Sequence, residues 1–167
     1  MQKSNFQLVN KFNQLFQREK LDELADLKSK EEQDKLRLQL KLIEEEVDEL
    51  QTAILEGDWE GMKDAVADIL VVTYGMGYVM NIDCDKALQE VNRANMSKIC
   101  NTEAEVNGTV LKYNELGLEC SVVKVGDSLW AVKSAKDQSD SKGNFFPKGK
   151  FLKNINWQEP DLGFIEM

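Results

Sequence analysis

Histidine is absent from this chain, proline occurs twice, cysteine three times, and no apolar run is long. Each shortage removes a class of chemistry. Without histidine there is no His-based triad, no His metal ligand and no imidazole acid-base catalysis. Any hydrolysis must use carboxylates, metal and water. Cys84, Cys100 and Cys120 are odd in number and show no CxxC spacing, which indicates neither a disulfide framework nor a zinc site and points to a reducing compartment. The N-terminal MQKSNFQLVNKFNQLF lacks a continuous apolar core of signal-peptide type, and the run after Ala65 is short and interrupted by Thr73 and Tyr74, so no membrane span is expected. The cytoplasm is the expected location. Positive charge is scarce as well: 21 Lys and Arg against 30 Asp and Glu give a net charge of -9, which argues against nucleic acid or an anionic membrane as partner. An acidic protein can still bind phosphates through a divalent metal and a few well-placed cationic side chains.

What is present is mainly helical periodicity. Phe6, Val9, Phe12, Leu15 and Phe16 predict an amphipathic helix over residues 4–18, followed by a charged stretch to residue 35. Leu36, Leu40, Ile43, Val47, Leu50 and Ile54 step by four and three, a heptad-like seam on a long helix over 31–55. Gly57-Asp58 breaks it, and a second long helix is expected over 59–80 with Asn81 as its stop. Asp83 reads as the N-cap of a helix to residue 96, and Asn101 or Thr102 as the cap of a shorter one ended by Gly117. Residues 118–125 and 129–133 then read as strands of a hairpin around Gly126-Asp127-Ser128. The expected architecture is mostly α: an antiparallel helical bundle over residues 1–100, and a small helix-plus-β-hairpin appendage over 101–167.

Two acidic clusters stand out, Glu45, Glu46 and Glu49 in LIEEEVDEL, and Asp64 and Asp68 in DAVADILVV. The seam occupies one face of its helix, Leu38, Leu42 and Ala53 the opposite side, and the three glutamates interrupt that second stripe. A helix apolar on two faces is expected to pack on both, and unpaired ionised groups there cost several kcal/mol each. Asp64 and Asp68 share one helical face, and Asp68 is the only charged residue from Ala65 to Met80, in a helix that reads as buried. If the two long helices fold back at Gly57, Glu49 and Asp64 stand at one level, with Glu46 and Asp68 a turn deeper. Oxygen ligands from both helices then surround a common point, the donor type that Mg²⁺ or Mn²⁺ prefers. The competing reading is a solvated acidic face with ion pairs to Lys63 or a more distant cation.

These residues resemble the all-α nucleoside triphosphate pyrophosphohydrolases, the superfamily of MazG proteins, dimeric dUTPases and phosphoribosyl-ATP pyrophosphohydrolase. LIEEEVDEL is similar to its EExxE motif, and DAVADILVVTYGMGYVMNID followed by EVNRANMSK resembles the phosphoribosyl-ATP pyrophosphohydrolase-like branch, with an Asn-x-x-Lys segment; KGKFLKN and EPDL match that branch's tail. The superfamily reads ExxD on its second motif helix, whereas here Ala65 stands three before Asp68 and the acid is Asp64. The resemblance implies Mg²⁺ on Glu45, Glu46, Glu49, Asp64 and Asp68, Glu45 or Glu46 as general base, and Asn95 and Lys98 as nucleotide or phosphate contacts. It implies cleavage of a nucleoside triphosphate, a deoxynucleotide foremost, to monophosphate and pyrophosphate. The apolar seam and the resemblance both suggest a homodimer or homotetramer. Arg37 and Arg93 are weaker phosphate candidates, Asn13 or Gln14 would read the base, and Tyr74 and Tyr78 would pack in the core or stack on it. The alternatives are a nucleotide-binding regulator without turnover and a helical interaction protein.

Overall fold

A computed structural model describes residues 3–21 and 26–163 of the chain. Part of the charged stretch, residues 22–25, and residues 164–167 of the appendage lie outside the described residues. Two compact units divide the chain, one through Leu88 and one formed by Gln89–Leu162.

The first unit is helical. Helix α1 (Asn5–Leu15) opens on a capping box, in which the Ser4 hydroxyl accepts from Gln7 N–H while the Gln7 side chain accepts from Ser4 N–H. It ends earlier than expected because Gln17 takes a left-handed backbone (φ 51°), and Arg18 N–H turns back to Asn13 C=O at 3.0 Å. Helix α2 (Lys30–Glu56) is capped by Ser29 and stopped by Gly57 at φ 69°, a conformation that glycine adopts without Cβ strain. Helix α3 (Trp59–Val79) follows at once, with the Asp58 carboxylate accepting from Glu60 and Gly61 N–H. Asn81, left-handed at φ 58°, stands just past its end. Asp83 accepts from Lys86 N–H at 3.1 Å and so caps α4 (Cys84–Met96).

Close approaches fix the register of the α2/α3 hairpin. Ala53 Cβ lies 3.3 Å from where a Cβ on Gly61 would sit, and Gln39 Oε1 lies 3.4 Å from the same point on Gly75. A step of fourteen on one helix matches fourteen on the other, which sets Glu46 opposite Asp68 midway. The line of α2 turned toward α3 is therefore Glu32, Gln39, Glu46 and Ala53, a seven-residue recurrence; Glu32, Gln39 and Ala53 are buried and Glu46 half-buried. This corrects the seam reading. Leu36, Ile43 and Leu50 flank the line and are half-buried, but Leu40, Val47 and Ile54 are exposed. The expected burial of α3 fails likewise, since Val66, Leu70 and Val71 are exposed while Ala65, Gly75, Gly77, Tyr78 and Val79 are buried. The physical reason is that a helix pair buries one line of each helix, and the further cover on α3 gathers near its C-terminal end, with Phe6 of α1 against Tyr74 at 5.7 Å and Cys84 of α4 against Gly77.

The second unit takes in the C-terminal part of α4 and helix α5 (Glu103–Glu115), capped by Thr102, with Gly117 left-handed after it. Strands β1 (Cys120–Gly126) and β2 (Leu129–Ser134) pair antiparallel, Val122 opposite Val132 and Lys124 opposite Trp130, with an irregularity between Lys124 and Gly126. Two-residue strands β3 (Gln138–Ser139) and β4 (Phe145–Phe146) pair in the polar stretch, where no strand was predicted. That stretch is ordered by side chains rather than by hydrophobic pattern: Gln138 bonds both the N–H and C=O of Glu119, and Asp140 accepts from Lys142 and Asn144 N–H. Cys100, Val106, Tyr113, Leu118, Val132 and Leu152 form the core. The three cysteines are free. Among the described residues no helix is long and apolar enough to cross a membrane.

Candidate functional site

The two acidic clusters meet on the hairpin. Glu46 and Asp68 are level, both half-buried, while Glu45, Glu49 and Asp64 are exposed. The Glu46 carboxyl is pushed above its ordinary value by desolvation first, and then by the charges of Glu49, Asp68, Glu45 and Asp64. The other four side chains thus all lie within electrostatic reach of this one carboxyl. Glu49 and Asp64 also line one open cleft of about 350 Å³ beside the Gly57 turn, together with Asp48, Glu56 and Asp58.

Positive charge barely offsets this crowd. Among the described residues, the one ion pair that touches the five acids joins Glu45 to Lys41 at 3.5 Å, both exposed, and such a surface pair contributes little. Lys63 turns away, pairing with Glu60 at 2.8 Å and lying over the Trp59 ring. An all-oxygen set of like charges offset by one exposed lysine suits a hard divalent ion, so the donor chemistry fits Mg²⁺. Among the described residues, no three such side chains already converge with metal-ligand geometry.

Two turns along the hairpin from Glu46 and Asp68 lies a polar cluster that the sequence reading caught only in part. Gln39 and Asn13 are buried; Arg18 Nη1 donates to Gln39 Oε1 at 3.0 Å, and Asn13 Nδ2 donates to Val9 C=O at 3.1 Å. Gly75 makes room for it, since a Cβ there would meet Arg18 Nη1 at 3.3 Å. The available signal was the seven-residue recurrence of Glu32, Gln39, Glu46 and Ala53. Gln14, the other candidate for reading a base, is exposed. Tyr74 packs on Phe6, and Tyr78 is buried with Lys20 Nζ 4.8 Å from its ring centroid, so both serve the core.

Asn95 and Lys98 belong to the second unit. Lys98 Nζ donates to Asn95 Oδ1 at 2.7 Å, which makes the two a coupled pair. Arg93 directs its guanidinium at Glu90, Gln158 Oε1 and Glu159 C=O, leaving it a poor phosphate ligand. Arg37 is exposed and 4.0 Å from Asp34.

Comparison with known proteins gives two matches. A family model described as phosphoribosyl-ATP pyrophosphohydrolase matches residues 9–95. An uncharacterized protein of Acanthamoeba polyphaga mimivirus is 31% identical over 127 residues, covering 75% of this chain and 50% of that protein. The chain therefore spans about half the length of the curated relative it matches.

Proposed function

The chain belongs to the phosphoribosyl-ATP pyrophosphohydrolase family, whose members are nucleotide pyrophosphohydrolases, and on that premise we propose that it hydrolyses a free nucleoside triphosphate, preferentially a deoxynucleotide, to the monophosphate and pyrophosphate. The observation that carries this reading is the meeting of four carboxylates around that of Glu46, with a single exposed lysine paired to one of them. Glu45, Glu46, Glu49, Asp64 and Asp68 would hold Mg²⁺, with Mn²⁺ as a substitute. When bound, the metal supplies neutralisation of the triphosphate and polarisation of water.

The chain's own residues divide the remaining work. Water attacks phosphorus, the P–O–P bridge breaks toward pyrophosphate, and the proton released by the water passes to a carboxylate. Glu46 suits that role better than Glu45, because it stands half-buried on the inward line while Glu45 is exposed and paired with Lys41. Asn95 and Lys98 contact the nucleotide, the ammonium offsetting phosphate charge. A homo-oligomer, dimer or tetramer, covers the exposed apolar faces of α2 and α3, and the cytoplasm is its place of action.

The test is pyrophosphate release from a panel of dNTPs and NTPs with Mg²⁺ and with EDTA, beside Glu49→Gln. Release that needs Mg²⁺ and disappears in the variant is the expected result. Full activity in Glu49→Gln overturns the ligand assignment, and tight nucleotide binding without release would instead identify a regulator.

A further inference from the structure

We propose that the C-terminal segment 157–161 is a strap that positions the Asn95–Lys98 pair for the nucleotide, with Trp157 and Arg93 as its positioning residues. This rests on the reading of Asn95 and Lys98 as nucleotide contacts, and adds to it a part of the chain that lies beyond the matched family region, which ends at residue 95.

The contacts are many and concentrate on one short stretch. The Trp157 indole N–H donates to Ala94 C=O at 3.0 Å, and Ser97 Oγ donates to the same carbonyl at 2.8 Å. Such a carbonyl in the last turn of a helix has no partner within the helix. Ser97 Oγ in turn accepts from Gln158 N–H at 3.2 Å. Arg93 grips both sides: Nε and Nη2 hold the Glu90 carboxylate at 2.7–3.1 Å, Nη1 reaches Gln158 Oε1 at 2.6 Å, and Nη2 reaches Glu159 C=O at 2.9 Å. Asp161 N–H closes the segment onto Glu90 Oε1 at 2.8 Å. Lys153 Nζ sits 3.4 Å from the centroid of the Trp157 ring.

The anchoring points are Glu90, Arg93, Ala94 and Ser97, which recur at three and four residues and so line one side of α4 and its exit. Asn95 stands off that side, and Lys98 follows directly on the last anchor. A strap that served only to close the hydrophobic core of this unit would make its contacts with that core. Residues 153–156 do so, through Lys153 N–H to the Tyr113 hydroxyl at 3.0 Å, Ile155 N–H to Thr109 Oγ1 at 3.1 Å and Asn156 Nδ2 to Glu105 Oε1 at 3.1 Å, whereas Trp157, Gln158, Glu159 and Asp161 spend their polar groups on the helical turn that carries the two nucleotide contacts. Ionised pairing makes the grip firm: the Glu90 carboxyl is lowered to about 2, chiefly by the Arg93 hydrogen bonds and then by the Asp161 N–H.

The experiment uses the full chain and two readouts. Steady-state pyrophosphate release with the preferred nucleotide is compared for the wild type, Trp157→Phe and Trp157→Ala, and amide exchange of residues 95–98 is followed in each. Trp157→Phe keeps an aromatic ring while removing the indole N–H, so it stays informative should Trp157→Ala fail to fold. The expected result is a KM raised about threefold in Trp157→Phe and about tenfold in Trp157→Ala, with kcat within about twofold of wild type, and faster exchange at 95–98. Unchanged exchange at those amides overturns the strap whatever the activity. A wild type that turns over while Trp157→Phe and Trp157→Ala keep its KM overturns the positioning role alone. A wild type that neither binds nor hydrolyses any nucleotide removes the enzymatic reading, and the positioning role with it.

Discussion

The two units treat charge and apolar surface in opposite ways. Residues 1–88 carry 11 basic and 19 acidic side chains, whereas residues 89–162 carry ten of each. The second unit also closes a core of its own around Leu118, Val132 and Leu152, each about 98–99% buried. The first buries mainly small residues, Ala53, Ala65 and two glycines, beside Phe6, Tyr78 and Val79, and leaves Leu38, Leu40, Ile54, Val66, Leu70 and Val71 exposed. The difference teaches which part of the chain is finished. The charge-balanced unit has a filled core; the acidic unit with bare apolar helices is where the proposed cation and the proposed oligomer contact would act.

The cation half of that contrast is broken most sharply at its centre. Glu46→Gln keeps the shape of the side chain but removes the proposed proton acceptor and metal ligand, so kcat should fall by about 10²–10⁴. An equivalent change in the second unit, Glu115→Gln on the exposed end of α5, should leave kcat within about twofold. Pyrophosphate release under saturating Mg²⁺ measures both, and a Glu46→Gln enzyme of near-normal kcat would assign the proton to another group.

The surface half is tested by mass. Val66, Leu70 and Val71 lie exposed along α3, more apolar surface than a solitary helix pair usually presents. Light scattering of the wild type should give a multiple of 19.0 kDa, and Leu70→Asp should lower it by placing a charge in the contact. A wild type that runs as a monomer would refute the oligomer outright.

How much of this was legible beforehand depended on the kind of signal. Caps and stops such as Asp58, Gly57, Asn81, Asp83 and Thr102 act locally, and each stands at the element end where the sequence placed it. The hydrophobic seam misled because Leu40, Val47 and Ile54 advertise a partner without saying which; the intrachain contact runs along Glu32, Gln39, Glu46 and Ala53, where small and polar residues carry no hydropathy signal. The acidic pairing was readable, since the Gly57 turn sets Glu46 opposite Asp68. The strap was not, because Trp157 finds Ala94 across 63 residues and no local pattern announces such a bond.

Glycines sharpen the contrast at the level of packing. A Cβ on Gly77 would sit 2.1 Å from Cys84 Sγ, with Phe6 Cε2 at 3.6 Å and Ile82 C=O at 3.7 Å. The sulfur has one rotor and packed neighbours, so Gly77→Ala should lower stability by about 1–3 kcal/mol, and adding Cys84→Ala should recover part of the loss. Gly108 in α5 would meet the side chain of exposed Ile155, Cδ1 at 2.9 Å, Cγ2 at 3.5 Å and Cγ1 at 3.8 Å; rotation of the terminal Cδ1 relieves the one close approach, and Gly108→Ala should be nearly neutral because helix propensity favours alanine by about 1 kcal/mol. Urea unfolding of the three variants decides it; equal losses at both glycines would mean that the first unit packs no more tightly here than the second.

The smallest expected effect is one of sign. In EDTA, the Glu46 carboxyl titrates above its ordinary 4.5 because it is desolvated and surrounded by Glu49, Asp68, Glu45 and Asp64. Between 4.5 and that raised value the folded state holds more protons than the unfolded chain, so this group lowers stability as pH rises through the window. Glu90 behaves oppositely: its carboxyl is lowered to about 2 by Arg93 and then by Asp161 N–H, so its contribution is fully present above 4.5 and is lost as pH falls toward 2. Acidification from neutrality should therefore first relieve the first unit and only later loosen the second. Amide exchange followed from pH 7 to pH 3, with the intrinsic pH dependence of exchange removed, reads the two units separately. In Glu46→Gln the early gain in protection should vanish, and in Glu90→Gln the late loss should vanish. A wild type whose two units lose protection in parallel across the whole range would show that neither carboxyl is set apart by its surroundings.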